Sequence, residues 1–137
     1  MEETKEPAEM TLDEVRERFS HDRFATVNGA VIDEIGEGCA RCSMALKDTH
    51  RNALGAVMGG AIFTLADFAF AVASNWNKNP QVSLNASISF LGRAKGERLI
   101  AEARKIREGK KTCYYEVMIS DELGHQVAHM TSNEFTL

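Results

Sequence analysis

The segment from Gly59 to about Asn75 most constrains what this chain can fold into. It opens on Gly59-Gly60, and from Ala61 to Ala73 only Thr64 and Asp67 interrupt an apolar run. Polar residues are too few to make one wet face, so the pattern predicts a helix enclosed by other structure. The run is too short to cross a bilayer and carries an acid in its middle. With 137 residues the chain has room for one compact domain around such a helix.

The material to enclose it is strand-like. Val27 to Ile35 and Cys39 to Leu46 flank a Gly36-Glu37-Gly38 turn, and residues 47–58 read as a loop. After the helix, Val82, Leu84, Ala86, Ile88 and Phe90 alternate with Ser83, Asn85, Ser87 and Ser89. Leu99 to Ile106, Cys113 to Ile119 and Val127 to Phe135 follow, with Gly96, Gly109 and Gly124 placed at the antiparallel connections. Upstream, Thr11 and Glu14 form a capping box, with Leu12, Val15 and Phe19 at helical spacing. Residues 1–10 read as a disordered tail and residues 11–137 as the domain. The class is α+β, a curved antiparallel sheet wrapped around a central helix. Such a sheet leaves edges and an uncovered face, which predicts a homodimer or homotetramer.

Charge narrows the partners. Sixteen Lys and Arg against twenty Asp and Glu give no general attraction to nucleic acid or anionic membrane. The N-terminus has no apolar signal core, and three cysteines form no disulfide framework, so a cytoplasmic protein is expected. Cys39 and Cys42 have CxxC spacing, but a strand points them to opposite faces. His125 and His129 in a strand would stand about 13 Å apart, too far to share a metal. No metal is expected. The basic run Arg104, Lys105, Arg107, Lys110 and Lys111 reads as a solvated hairpin, with a bound phosphate group as the alternative.

Two features of the helix carry chemistry. Amides at its start are unpaired and lie at the positive dipole end, and Gly59 and Gly60 let a ligand approach closely. The same glycines equally suit tight helix-to-sheet packing. Asp67, among Leu65, Ala66, Phe68, Ala69 and Phe70, needs either a structural partner or a function. Burial would raise its pKa toward the range of a general base. Eight helical residues separate Gly59 from Asp67 by about 12 Å. One carbonyl cannot meet both groups of one helix, so a two-fold dimer with a shared site is expected.

The stretch His50-Arg51-Asn52-Ala53-Leu54-Gly55-Ala56-Val57-Met58-Gly59-Gly60, followed by Leu65-Ala66-Asp67, resembles the hotdog-fold acyl-CoA thioesterases of the phenylacetate-degradation and THEM type. The likeness extends to Phe24 and Gly29 upstream and to Phe70-Ala71-Val72-Ala73 and the strand 82–91 downstream. It implies a hotdog fold and hydrolysis of an acyl-CoA thioester, with CoA present only as part of the substrate and no other cofactor. Gly59 would donate its amide to the thioester carbonyl, and Asp67 would serve as general base or as nucleophile. Asn52 would hold the carbonyl or the water, and Ser83 would assist the water. Ser83 also fits a plain polar strand face with Asn85, Ser87 and Ser89.

His50, Met58 and Gly60 would contact substrate. Met58 replaces the family histidine before Gly-Gly, and the usual Arg-Pro pair is absent from Leu91-Gly92-Arg93-Ala94, moving the phosphate contact to Arg93 or Lys95. The methionine keeps a non-catalytic acyl-CoA-binding protein open as an alternative. An enoyl-thioester hydratase is a lesser one, because its His-Phe-Pro signature is missing. Phe63, Phe68, Phe70 and Trp76 suit either an aryl pocket or the core.

Overall fold

In the computed structural model, which describes residues 10–76 and 80–137, helices α1 (Leu12–Phe19) and α2 (Arg23–Val27) precede strands β1 (Ala30–Gly36) and β2 (Cys39–Ala45). The central helix α3 (Gly59–Asn75) follows, then β3 (Gln81–Phe90), β4 (Arg98–Glu108), β5 (Thr112–Asp121) and β6 (Gln126–Thr136). The expected tail lies almost wholly outside the described residues. The predicted capping box is present, with the Glu14 N–H donating to Thr11 Oγ1 at 3.1 Å and the Thr11 N–H donating back to Glu14. Gly38 (φ +66) turns the β1–β2 hairpin in the left-handed region.

All strands pair antiparallel in the order β1-β2-β4-β5-β6-β3. This is the expected α+β architecture, a sheet curved around α3. Alternate residues of the central strands, such as Met44, Leu99, Val117 and Met130, face α3 and are fully buried. The helix answers with Leu65, Ala66, Ala69, Phe70 and Ala73. Phe70 meets Tyr115 edge-on at 5.5 Å, and burying such a ring is worth about 1.5–3 kcal/mol. Phe68 is closed over by Phe19 of α1 at 6.3 Å. Phe68, Phe70 and Trp76 are therefore core, and the Trp76 indole donates to the Gly36 carbonyl at 2.9 Å.

Two expectations need correcting. Val27 ends the short helix α2 and does not begin a strand. Gly29, with φ +103, then turns the chain into β1 at Ala30. Nor does the rest of the chain enclose α3. Gly60, Phe63 and Asp67 form an exposed stripe, continued by the half-buried Thr64 and Ala71 at i, i+4 spacing. The sheet covers one side of the helix, while α1 and α2 screen only its flank. The edge strand β3 is also uncovered on both faces, with Val82, Leu84 and Phe90 about half exposed. Among the described residues no helix is long and apolar enough to cross a membrane.

Candidate active site

The start of α3 is built by a chain of local bonds. The His50 ring accepts the Lys47 N–H at Nδ1 (3.0 Å) and donates from Nε2 to the Asn28 carbonyl (2.6 Å). These partners dictate the tautomer. The His50 carbonyl accepts the Met58 N–H at 2.8 Å, and the Met58 carbonyl receives the first turn of α3 through Ala61 and Ile62. Met58 caps the helix in an extended conformation without a side-chain bond. The N–H groups of Gly59 and Gly60 have no partner among the described residues. His50 spends both ring nitrogens on the backbone and so positions the helix start, and it also lines the cavity beside Met58 and Gly60.

Asn52 folds the preceding loop. Its Oδ1 accepts the N–H groups of Leu54 (3.0 Å) and Ala56 (3.1 Å), and Gly55 closes the turn at φ +81. The acceptor end of the amide is thus committed, and only its NH2 is available to a carbonyl or water.

Two cavities flank the two glycines. On one side, about 320 Å³ is lined by Arg51, Gly59, Phe90 and Arg93. A Cβ on Gly59 would sit 3.1 Å from the Phe90 ring, so the glycine permits this close approach. On the other side, about 390 Å³ is walled by Phe24, Met44, Met58, Gly60 and Phe63. The helix start therefore separates a basic cavity from a sulfur- and aromatic-walled one.

Asp67 lies further along the exposed stripe, in a third cavity of about 450 Å³ with Asp22, Arg23, Phe24, Phe63 and Thr64. Its carboxyl is solvent-accessible, contrary to the expectation of a buried acid. Crowding by protein atoms nevertheless raises its pKa, and the negative charge of Asp22 adds to the rise. Because α3 is continuous, Gly59 and Asp67 stay about 12 Å apart along its axis. One chain does not bring them together.

With this geometry, comparison with known proteins is decisive. The Thioesterase superfamily matches residues 54–128, more than half of the chain, spanning the helix start, Asp67 and strands β3 to β5. The chain belongs to the thioesterase superfamily. A putative esterase of Archaeoglobus fulgidus is 35% identical over 111 residues, 80% of this chain and 72% of that one. The acyl-coenzyme A thioesterase PaaI of Escherichia coli is 33% identical over 112 residues, 80% of this chain and 79% of that one. The solved structure of the E. coli PaaI protein superposes with a TM-score of 0.80 at 26% identity, covering 93% of this chain and 96% of the other. The chain is thus a thioester hydrolase on a hotdog fold.

The thioesterase frame sorts the remaining residues. Arg93 lines the Gly59 cavity, and the loop bearing it is tied down on both sides. Leu91 and Gly92 donate to the Val127 carbonyl, and the N–H groups of Lys95 and Gly96 donate to Asp121 at 2.8 and 3.0 Å. The Lys95 side chain is exposed and does not line that cavity. The basic run on the β4–β5 hairpin begins six positions beyond Arg98, and Arg107 lies roughly 30 Å along β4 from that end. Arg104 and Lys105 are paired with Glu116 and Glu108. His125 and His129 are engaged separately, by Asp121 and Glu116.

Ser83 does not share a face with Asn85. A bulge at Leu84 pairs Ser83 with Glu134 and Asn85 with Asn133, and cross-strand partners lie on the same face. Ser83 therefore stands on the helix side beside the buried Glu134, seven strand positions or roughly 23 Å from Phe90. The sequence reading missed Arg51, Asp22 and Asp121. Arg51 was legible as a base inside the matched motif. Asp121 had a weaker signal, an acid three residues before the turn glycine Gly124 (φ +91).

Proposed function

We propose that this thioesterase hydrolyses an acyl-CoA thioester in a site completed by a second copy of the chain. The carrying observation is the pair of unpaired amides at Gly59 and Gly60, set between a basic and an apolar cavity, with Asp67 on the uncovered stripe of the same helix. The E. coli relative named acyl-coenzyme A thioesterase supports the substrate class. Exposed Phe24, Val27, Phe63 and edge strand β3 supply the apolar surface that a homodimer would bury.

In this reading the thioester carbonyl takes the Gly59 N–H, assisted by the NH2 of Asn52. Coenzyme A extends past Arg51 and Arg93, and the acyl group enters the cavity walled by Met58 and Phe63. Asp67 of the second copy removes a proton from water as the oxygen attacks the carbonyl carbon. The tetrahedral intermediate then expels sulfur, and the thiolate recovers that proton to leave as CoA thiol. Direct attack by the carboxylate, through an anhydride, uses the same placement. Neither route needs a metal or redox cofactor. Losing one oxyanion donor costs about 2.7–4 kcal/mol in comparable sites.

Complementation tests the arrangement. Asp67→Asn removes the base, and Gly59→Pro removes the N–H at the first helical position, where proline is tolerated, while the Phe90 ring gives way by a few tenths of an ångström to its Cβ. Each variant alone should release thiol at least about 100-fold more slowly than the wild type. Co-expressed, the two should recover about a quarter of wild-type activity, since half the dimers are mixed and each holds one whole site. No recovery from well-folded mixed dimers would place the site within one chain. Full activity of Asp67→Asn alone would remove Asp67 from the chemistry.

A further inference from the structure

Asp22 stands at the N-cap of α2, where an aspartate ordinarily accepts a helix N–H through its side chain. Here the side chain makes no such bond, with backbone angles of φ −76 and ψ 74. Only its backbone carbonyl is used, accepting the Thr26 N–H and hydroxyl, each at 3.1 Å. The carboxylate lines the same cavity as Asp67, among Phe24, Phe63, Phe68 and Ala71.

We propose that Asp22 is a positioning residue that acts through Asp67, the second acid of one cavity placed to keep the first a stronger base. This rests on the reading above, in which Asp67 accepts the proton of water. Two carboxylates beside apolar walls resist ionising together, because each negative charge disfavours the other. Both side chains are exposed at the cavity mouth, but crowding by protein atoms raises the pKa of each, and for Asp67 the charge of Asp22 is the next contribution. The other charged groups around Asp67 are few. His21 acts on Asp22 in the opposite sense, and the exposed Arg23 lines the cavity. Glu134 of β6 interacts with Asp67 from the sheet side. Arg16 of α1 and Asp33 of β1 line the next cavity, beyond Phe68. Asp22 exchanges no proton in the reaction; the single proton moves from water to Asp67 and on to sulfur.

A base with a higher pKa accepts a proton more readily once ionised, but ionises only at higher pH. Removing the Asp22 charge should therefore let Asp67 ionise at lower pH. The test is the pH profile of kcat/KM and kcat in the intact assembly, with phenylacetyl-CoA and hexanoyl-CoA as probes. Wild type is compared with Asp22→Asn, Asp22→Ser and Asp22→Glu. Serine retains an N-capping side chain, so one neutral variant keeps α2 whatever the other does. Both neutral variants should move the acidic limb down by about 0.5–1 pH unit, and Asp22→Glu should restore it. An unmoved limb, or a uniform loss of rate at every pH, means that Asp22 is merely structural and overturns the proposal while leaving Asp67 in place. If Asp67→Asn keeps full activity, the underlying reading fails first, and the two failures are told apart.

Discussion

Replacing Asp121 with asparagine should unfasten the loop that carries Arg93. The Asp121 side chain is fully inaccessible to solvent and accepts four backbone N–H groups, from Lys95 and Gly96 on Oδ2 and from Leu123 and His125 on Oδ1. Asparagine keeps one acceptor oxygen and turns an NH2 group toward the other pair, leaving two N–H groups facing a donor. Each orphaned buried group costs about 1–3 kcal/mol, and local adjustment of the two turns relieves part of this, so the expected loss is about 2–4 kcal/mol. For a domain of this size that lowers Tm by roughly 6–16 °C.

The pH dependence has a definite sign. Burial alone would raise the pKa of Asp121, but the N–H groups of Lys95, His125 and Gly96 outweigh it and hold the carboxyl well below the usual range. The resulting stability is present above the ordinary aspartate pKa of about 3.9 and is lost as pH falls toward the lowered folded value. Denaturant titrations between pH 2 and pH 7 should show the wild type losing that increment on acidification, with Asp121→Asn lacking it at every pH. The variant should also raise KM for acyl-CoA, because Arg93 sits between the tethered ends of the loop. A Tm within about 2 °C of wild type, or an unchanged acid slope, would refute the reasoning.

Arg51→Ala and Arg93→Ala should each raise KM for acyl-CoA about fivefold, equivalent to about 1 kcal/mol for an exposed phosphate contact, with kcat little changed. Initial rates at rising salt should narrow the gap from wild type; a loss in kcat at constant KM would contradict the assignment. The Cys42 thiol, fully buried and with Asp33 nearby, has its pKa pushed up to about 12, first by burial and then by that charge. At pH 8, iodoacetamide should therefore alkylate exposed Cys39 in the native protein and reach Cys42 only after denaturation. Equal rates, read by mass spectrometry of peptides, would disprove this.

Legibility followed the range of the interaction. The capping box at Thr11 and Glu14, the turn at Gly38, the extent of α3 and the bodies of the strands are local patterns, and each stands where the residues predict it. Gly59 and Asp67 were likewise legible, since a helix start and an acid in an apolar run are features of a few neighbouring residues. Ser83 shows where local reading fails. Its alternation is unbroken in sequence, but the bulge opposite Glu134 exists only because β3 must pair with β6, and it reverses the side chain's face. His50 reads as a motif residue, yet its Asn28 partner is 22 positions away and gives it a second task, support of the helix start, that the motif does not show.

Sequence alone therefore determined the class of the fold, the places of Gly59 and Asp67 on the central helix, and the helical spacing of about 12 Å that keeps them apart in one chain. Tertiary structure decided which of them face solvent, which cavities they line, and which remote residues join them. Asp22 reaches Asp67 through the packing of α2 on α3, and Asp121 holds the Arg93 loop from 25 or more residues away. Helical spacing is set by backbone geometry within one turn after another. The surroundings of a side chain are set by segments distant in the chain, and those come together only when the core closes.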